Sequence, residues 1–550
     1  MARKGQPKVR TGCFTCKIRR LKCDEARPFC DRCIRAGRTC AGYAVSVSQA
    51  ALPSPPALAV QPRQLLAGSK HPLESRALHY FRIHAPYLVG GLDAYFWTDL
   101  SLQFSCFEPA VRHSLVAISS LYEQLAAGPQ TPASLRHNDF ALTHYNAAIQ
   151  ELKQSSNQPL VIFVCMLFIC IEFMQANAEA AVRHCRHGLR LLCDLGTIHP
   201  WMRDRICPSF HRLSMVPLVF DGLGTADVPS LPYADTILLS DSAFSSMTDA
   251  RTSLDIILGR ILRLTHKAAR DRNRRPHAPA ESGDLEDLAA TTTTTPELTA
   301  ERHEVEDLLA RWQRAYATFD LDVNQYAQTV FKRYKMSHRV MHQVLRHGLQ
   351  VRLALCRVLV ATCLGSSGGT DDDDDDCYDA HLETLASMAT LAMEMLTAGS
   401  SESHQIQVRR PLHFAFETGM ALPMFFVVTK CRELSVRRPA LTCLKWLTVQ
   451  RESLWHLASA VAVAKRVVEW EHGVVLDGEF RECGPGPAQY PGLAPGSRRI
   501  RTHWLDLVQL HLRDGVETLD AEVLFGTPPA STSASAPEAK PDSKVGSHGS

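Results

Sequence analysis

Apolar residues recur at helical spacing along most of the chain after residue 73. The segment EPAVRHSLVAISSLYEQLAAG shows this pattern clearly. Its apolar residues follow one another at spacings of four and three, as one face of an α-helix requires: Val111, Leu115, Ile118, Tyr122 and Leu125. Pro109 in the first turn and Gly128 after the last apolar residue predict where this helix begins and ends.

Similar patterns predict helices through the rest of the body. They lie in FALTHYNAAIQELK, over 159–174, in AEAAVRHCRHGLRLLCDLG, and near 252–270, 301–319, 335–365, 379–397, 407–430, 440–470 and 501–514. No period-2 alternation bounded by turns predicts a strand. The apolar run Pro159 to Met174 contains Glu172 and is shorter than the roughly 18 residues of a membrane span. We therefore predict an all-α body with a fully buried core helix at 159–174 and no membrane partner.

Shifts in composition divide the chain into segments. We predict a small domain at 1–43, a Pro/Ser/Ala-rich linker at 44–72, the all-α body at 73–526 and a disordered tail at 527–550. Mobile loops are expected near 271–300 and 365–378, since a threonine run and six consecutive aspartates bury too little apolar area to offset chain entropy. Four prolines exclude a continuous coiled coil in the linker: Pro53, Pro55, Pro56 and Pro62.

The charge and the cysteines are concentrated at the start of the chain. The net charge is only +3, yet residues 1–43 contain twelve basic and three acidic residues, while the remainder has 48 basic and 54 acidic ones. Such a basic head predicts a polyanion partner. Six of the 18 cysteines lie in the first 40 residues. The others, such as Cys165 and Cys170, lie in apolar helical contexts and are interpreted as buried hydrophobic residues. No apolar stretch follows the basic N-terminus, so we expect no secretory signal and an intracellular, soluble protein.

The six N-terminal cysteines form a repeat of C-x2-C-x6-C, offset by 17 residues: Cys13, Cys16, Cys23, Cys30, Cys33 and Cys40. Intracellular clusters of this kind bind metal more often than they form disulfides. Zn²⁺ prefers four ligands, so six thiolates satisfy two Zn²⁺ ions only if two sulfurs bridge. Their equivalent places in the repeat make Cys13 and Cys30 the expected bridges. One ion would then be held by Cys13, Cys16, Cys23 and Cys30, and the other by Cys13, Cys30, Cys33 and Cys40.

Two other interpretations of the cluster remain open. One is a single zinc ion with two spare thiols, and the other is a disulfide knot. The predicted intracellular setting argues against disulfides, and the repeat argues against spare thiols.

The two halves of the repeat differ in charge. Four of the six residues between Cys16 and Cys23 are basic: Lys17, Arg19, Arg20 and Lys22. On a short helix we expect Ile18 and Leu21 to face inward while the basic residues point outward. The second half has two basic residues and a helix-breaking Gly37. The first half is therefore predicted to read the major groove of double-stranded DNA, and the second to support it and contact phosphates.

The cysteine spacing, the basic first helix, the Lys22-Cys23 step and Pro28 resemble the fungal Zn2Cys6 binuclear-cluster transcription factors. This resemblance implies that Arg20, with Arg19 next to it, contacts bases, usually in a CGG half-site. It implies that Lys17 and Lys22 contact phosphates or adjacent bases. It also implies a nuclear regulator of RNA polymerase II transcription that controls a metabolic or biosynthetic gene set.

From residue 73 to about 200 the segments LESRALHYFRIHAPYLVGGLDAYFWTDL, FEPAVRHSLVAISSLYE and HYNAAIQEL resemble the all-helical fungal-specific regulatory domain. Family members often dimerise through a coiled coil after the cluster. The proline-rich linker departs from that pattern, which leaves a monomer and a homodimer formed by the body both open. The body is expected to recruit co-regulators or the transcription machinery, or to sense a small molecule.

Other candidate sites have simpler interpretations. His184, Cys185 and His187 share a short stretch without a further ligand pair, which favours a structural role. The Asp371–Asp376 run is interpreted as a solvated loop, and a charged loop explains Arg270–Arg275 as well as an import signal does. No phosphate-binding loop with a lysine, HExxH or G-x-S-x-G motif occurs, so we predict no enzyme. The alternative function is a zinc-stabilised protein-interaction module on a helical scaffold.

Overall fold

The computed structural model divides the chain into two compact units, Met1–Leu65 and Leu66–Ser550. They are called the head and the body below. The structure describes residues 11–26, 29–41, 43, 71–88, 95–128, 132–195, 198–222, 228–229, 231, 244–274, 296–319, 338–365, 376–401, 413–484, 488–495, 498–500 and 503–511. The predicted linker up to residue 70 and the predicted tail lie outside this set. The finer domain boundaries therefore stay predictions.

The head contains two short helices, α1 (Phe14–Ile18) and α2 (Asp31–Arg35). A cysteine caps each of them. The Cys13 Sγ accepts a hydrogen bond from the Cys16 N–H at 3.3 Å, and the Cys30 Sγ accepts one from the Cys33 N–H at 3.3 Å. These sulfurs take the place of the serine or asparagine oxygen that usually satisfies the first turn of a helix.

Both short helices end in the same way. Arg20 has a φ of 55° and Gly37 has a φ of 61°, so each places one left-handed residue after its helix. The N–H of Leu21 then bonds to the Cys16 carbonyl and that of Arg38 to the Cys33 carbonyl, both at 3.0 Å. The 17-residue repeat in the sequence is thus a repeat of backbone conformation. The break that Gly37 predicts for the second half also occurs in the first, at Arg20.

The expected inward packing of Ile18 and Leu21 is wrong. Their side chains are 83% and 43% exposed, whereas five cysteines fill the centre of the head: Cys13, Cys16, Cys30, Cys33 and Cys40. A five-residue helix offers one narrow inward face, and Cys16 is the buried residue of α1. No room is left there for an aliphatic pair.

The body is built mainly from α-helices, as predicted. Their bounds are α3 (Pro72–Leu88), α4 (Ser101–Ser105), α5 (Pro109–Ala126), α6 (Pro132–Arg136), α7 (Asp139–Lys153), α8 (Gln158–Met174), α9 (Ala178–Asp194), α10 (Pro200–Arg205), α11 (Cys207–Leu213), α12 (Met215–Phe220), α13 (Met247–Arg274), α14 (Pro296–Ala317), α15 (His338–Thr362), α16 (Leu382–Ser401), α17 (Ala421–Lys430), α18 (Leu434–Leu447), α19 (Leu457–His472) and α20 (Trp504–His511). A π-helical turn spans Phe96–Leu100 and a 3₁₀ turn spans Asp376–His381.

The helices with the clearest sequence patterns occur where they are predicted. All five residues of the α5 stripe are buried, and Pro109 stands in its first turn. The segment 159–174 lies within α8, whose residues from Ile162 to Met174 are buried. Cys165 and Cys170 are free, buried thiols in this helix, as expected. Among the helices that the structure describes, none is long and apolar enough to cross a membrane.

Two predicted helical regions are interrupted by a small sheet. Strand β1 (Phe414–Ala415) pairs in parallel with β2 (Arg451–Glu452), which pairs antiparallel with β3 (Trp455–His456). The regions predicted near 407–430 and 440–470 are therefore helical only in part. Two-residue strands are too short to show a period-2 pattern.

Described helical elements occupy the ends of the regions near 271–300 and 365–378, where mobile loops are predicted. Helix α13 continues through residue 274, α14 begins at Pro296, and the 3₁₀ turn begins at Asp376. The intervening residues 275–295 and 366–375 lie outside the described set.

A network of buried charges connects α11, α13, α15 and the segment after β1. The Glu417 carboxylate lies 2.8 Å from Arg212 and 3.0 Å from Arg251, and Arg352 lies 3.4 Å from Asp255. These residues line a cavity of about 30 Å³. Buried charges in proteins are tolerated when they are paired in this way.

Candidate metal centre and nucleic-acid interface

The structure brings the six N-terminal cysteines into two overlapping sets of four. In each set the sulfurs all lie within 4.8 Å of one another. One set is Cys13, Cys16, Cys23 and Cys30, and the other is Cys13, Cys30, Cys33 and Cys40. Cys13 and Cys30 belong to both sets, and their sulfurs lie 3.6 Å apart.

The chemistry of this donor set fits zinc. Zn²⁺ is usually held by four ligands in a tetrahedron, with Zn–S distances of about 2.3 Å. Two such tetrahedra can have two sulfur ligands in common. Two sets of four sulfurs with two members in common supply eight coordination positions from six side chains. The same arrangement brings all six thiols close together, and only cations can compensate their charge when they ionise.

Burial and backbone hydrogen bonds act in opposite directions on these thiols. Burial raises the pKa of Cys13 to about 12 and also raises that of Cys30. Burial opposes ionisation of Cys23 as well, but the N–H groups of Cys13 and Glu25 and the Tyr43 hydroxyl outweigh it and lower its pKa to about 6. Both N–H groups lie 3.4 Å from the Cys23 sulfur. Hydrogen bonds of this kind stabilise thiolate, the form that binds metal.

Polar contacts hold the two halves of the head against each other. The Asp24 carboxylate accepts hydrogen bonds from the N–H groups of Asp31 at 3.1 Å and Arg32 at 2.8 Å, at the start of α2. Arg32 in turn donates to the Lys22 carbonyl at 2.6 Å. Hydrogen bonds from the N–H groups of Ala26 and Arg32 lower the pKa of Asp24, which keeps it ionised. The segment after Cys23 is therefore fixed to the second helix.

The backbone at Gly12 also lies close to Cys23. A Cβ at position 12 would lie 2.8 Å from the Cys23 Cβ, so only glycine fits beside the cluster. Thr15 donates to the Thr39 carbonyl at 3.2 Å and accepts from the Ala41 N–H at 2.9 Å. No sequence motif singles out Asp24, Thr15 or Tyr43. Asp24 follows Cys23 and precedes α2, which is a place where a carboxylate commonly satisfies free N–H groups.

All four predicted DNA-contacting residues are exposed on the first half of the head: Lys17, Arg19, Arg20 and Lys22. Lys17 lies in α1 and Arg19 caps its C-terminal end, so Arg20 and Lys22 follow the helix. The left-handed conformation of Arg20 turns the chain at this point. A left-handed conformation costs a non-glycine residue about 1–2 kcal/mol. Arg35 and Arg38 are exposed on the second half.

The histidines of α9 do not come together as a metal site. His184 lies 3.3 Å from the Tyr145 hydroxyl, and burial lowers its pKa to about 4. Cys185 is buried and His187 is exposed. The aspartate run lies almost wholly outside the described residues.

The head and the body each match the model of a known protein family. Residues 79–392 match the model of the fungal specific transcription factor domain, and residues 11–50 match that of the fungal Zn(2)-Cys(6) binuclear cluster domain. The first match covers more than half of the chain. The chain belongs to the fungal-specific transcription factor family. The match identifies the head as a zinc–cysteine cluster domain and the body as the transcription factor domain of this family.

Several curated proteins are similar to parts of this fungal-specific transcription factor. The aspercryptin biosynthesis cluster-specific transcription regulator atnN of Emericella nidulans is 32% identical over 217 residues, which are 34% of this chain and 35% of that protein. Transcription regulator lscL of Purpureocillium lilacinum is 27% identical over 236 residues, covering 37% and 53%. The matched stretches thus span about a third to a half of these relatives. No solved structure matches the chain.

Proposed function

We propose that this regulator acts in the nucleus, holds two Zn²⁺ ions between its six N-terminal cysteines, and reads a CGG-type half-site in double-stranded DNA. The observation that carries the proposal is the pair of overlapping four-sulfur sets, which share Cys13 and Cys30. In this arrangement Cys13 and Cys30 bridge the ions. Cys16 and Cys23 complete one tetrahedron, and Cys33 and Cys40 complete the other.

The exposed basic residues around the end of α1 support the assignment of the DNA contacts. Arg20 and Arg19 donate to base edges in the major groove, where an arginine pairs with the two acceptors of guanine. Lys17 and Lys22 lie on either side of them and bind phosphates, which fixes the position of the head without reading sequence. Arg35 and Arg38 supply further phosphate contacts from the second half.

The relatives support a biosynthetic or metabolic gene set as the target. One of them is named as the regulator of a single biosynthesis cluster. The similarity covers about a third of each chain, so it supports the class of target genes and not particular genes. The body would recruit co-regulators or the transcription machinery, and the number of half-sites bound distinguishes a monomer from a homodimer.

Selection of binding sites from random duplex DNA by the full chain tests the proposal. We expect enrichment of a CGG-type sequence that disappears when zinc is chelated. Arg20→Ala should weaken binding to the selected site by about 1–3 kcal/mol. Arg38→Ala is the matched control. Loss of a phosphate contact should weaken binding to all sequences equally and reduce the salt dependence of binding. Equal affinity of the Arg20→Ala variant and the parent would refute the assigned role of Arg20.

The exposed apolar residues of the head favour a second candidate function. Phe14, Ile18 and Ile34 are 45%, 83% and 59% exposed. They suit a protein-interaction module that binds a partner through an apolar surface. Such a module would enrich no DNA sequence, and its binding would depend weakly on salt.

A further inference from the structure

Two histidines and a glutamate meet in the body, on three helices. Glu74 lies in the first turn of α3, His113 near the start of α5, and His144 in the middle of α7. One ligand atom of each lies within 4.8 Å of those of the other two. The Nδ1 atoms of His113 and His144 lie 2.8 Å apart. These residues come from positions 31 or more apart in the sequence, and nothing in its motifs groups them.

The surroundings fix the two imidazole rings. Their planes are 30° apart, with centroids at 5.1 Å, and the Phe140 ring packs edge-on against His144 at 4.6 Å. His144 is buried and His113 is half-buried. Independent contacts already hold α3 against α5. Arg76 pairs with Glu123, and the Ser119 hydroxyl donates to the Ala77 carbonyl at 2.6 Å. The three side chains therefore meet in a largely prearranged geometry, which lowers the cost of binding.

Burial and the charge of Glu74 act on both imidazole rings. Burial lowers the pKa of His113 and of His144, and each effect is partly offset by the negative charge of Glu74. The positive charge that His113 and His71 would carry lowers the pKa of His144 further. In the hydrogen bond between the rings, one Nδ1 carries the proton and the other accepts with its lone pair. A divalent ion between the rings would instead accept a lone pair from each Nδ1, with the proton carried on Nε2.

We propose that Glu74, His113 and His144 form a further binding site for a divalent transition metal, most suitably Zn²⁺, which is separate from the cysteine cluster. Imidazole nitrogens and a carboxylate oxygen are ordinary zinc ligands, and three of them leave a fourth position for water. Two nitrogens at about 2.0–2.1 Å from a tetrahedral ion lie roughly 3.3 Å apart, so the rings separate by about half an ångström on binding. The ion would add a link between α3, α5 and α7 to the contacts that already hold these helices together.

The test uses the full chain with Co²⁺ in place of zinc, together with counting of the metal ions per chain. The proposed site has no sulfur, so its Co²⁺ shows ligand-field absorption without thiolate charge-transfer bands. We expect His113→Ala and Glu74→Gln to remove one ion per chain while the charge-transfer bands of the cysteine cluster stay unchanged. Metal affinity at the site should fall by at least about 10- to 100-fold, the loss that even an indirect perturbation of a metal ligand produces.

Controls separate this result from unfolding. His187→Gln replaces an exposed histidine on α9 and should leave the metal count unchanged. Glu74→Gln keeps the size of the residue and one acceptor oxygen, so its helical circular dichroism should match the parent. A parent chain that binds no more metal than the cysteine cluster takes up, or a Glu74→Gln and a His113→Ala chain that both keep the full count, would overturn the proposal. This outcome does not depend on whether the head reads a CGG site.

Discussion

The head and the body stabilise their backbones by different means. Among the described residues of the head the buried side chains are cysteines, and Phe14, Ile18, Leu21 and Ile34 are exposed. In the body the largest fully buried side chains include tryptophans and phenylalanines, such as Trp455, Trp504 and Phe163. A unit as short as the head cannot bury enough apolar area to offset its chain entropy. Metal–sulfur bonds therefore take the place of an apolar core.

The two units also differ in whether the helix caps, the core and the cofactor site are formed by the same atoms. In the head the capping atoms are the sulfurs that would bind metal, so cap, core and cofactor site are the same atoms. In the body these tasks are separate. Asparagines cap three helices, apolar residues fill the core, and buried arginines such as Arg437 are paired with carboxylates. A change to one of these features in the body should therefore leave the others intact.

Removal of zinc should produce the largest effect. Chelation at pH 7 should unfold the head, because the binding free energy of a structural zinc site is about 10–16 kcal/mol and equals its folding free energy. The body should keep its apolar core, so far-UV circular dichroism should fall only slightly while DNA binding is lost. Replacement of Cys30 by serine should act in the same direction, since Cys30 belongs to both sulfur sets. A proportional loss of all helical signal would contradict the contrast between the units.

Loss of a buried charge should be the largest single-residue effect on the body. Arg437 on α18 and Glu471 on α19 are both 1% exposed and lie 2.6 Å apart. Glu471 also accepts a hydrogen bond from the Ile500 N–H at 2.9 Å. Glu471→Ala leaves an unpaired buried guanidinium and should lower the free energy of unfolding by about 3–5 kcal/mol.

The control for the buried Arg437–Glu471 ion pair is the exposed ion pair between Arg183 and Glu179. Both side chains are largely exposed, so Glu179→Ala should change stability by less than about 1 kcal/mol. Urea denaturation monitored by tryptophan fluorescence measures both variants. Equal losses would mean that burial does not distinguish the two pairs.

The left-handed residue that ends α1 allows DNA contact to be separated from folding. Arg20→Gly removes the strain of a positive φ, as Gly37 does in the second half. The zinc affinity of the head should therefore not fall. Binding to the selected DNA site should weaken by about 1–3 kcal/mol, the usual contribution of an arginine that contacts a base. Zinc competition and a DNA-binding titration measure the two effects separately, and a parallel loss of both would show that Arg20 is structural.

Periodicity and spacing predicted the parts of this protein that depend on local sequence. The α5 stripe, the buried α8 and the paired cysteine repeat all follow from residues close together in the chain. Ile18 and Leu21 were misplaced because helical spacing implies an inward face only when an apolar core exists for it to meet. The three short strands, the Arg437–Glu471 pair and the group of Glu74, His113 and His144 join distant segments. No local pattern encodes those contacts.

The smallest expected effect concerns the helix caps of the body. The Asn138 side chain accepts a hydrogen bond from the Ala141 N–H at 2.9 Å and donates to Gln124 at 2.8 Å, whereas the cap bond of Asn177, from the Ala180 N–H, is longer at 3.4 Å. Asn138→Ala should therefore cost about 1–2 kcal/mol and Asn177→Ala about 0.5–1 kcal/mol. Aspartate at either position keeps the capping oxygen and serves as the control. The same measurement on Cys13→Ala in the head should show total loss of that unit, because there the cap is also a candidate metal ligand. A cost at Asn138 comparable to that loss would mean that the body, too, depends on single capping atoms.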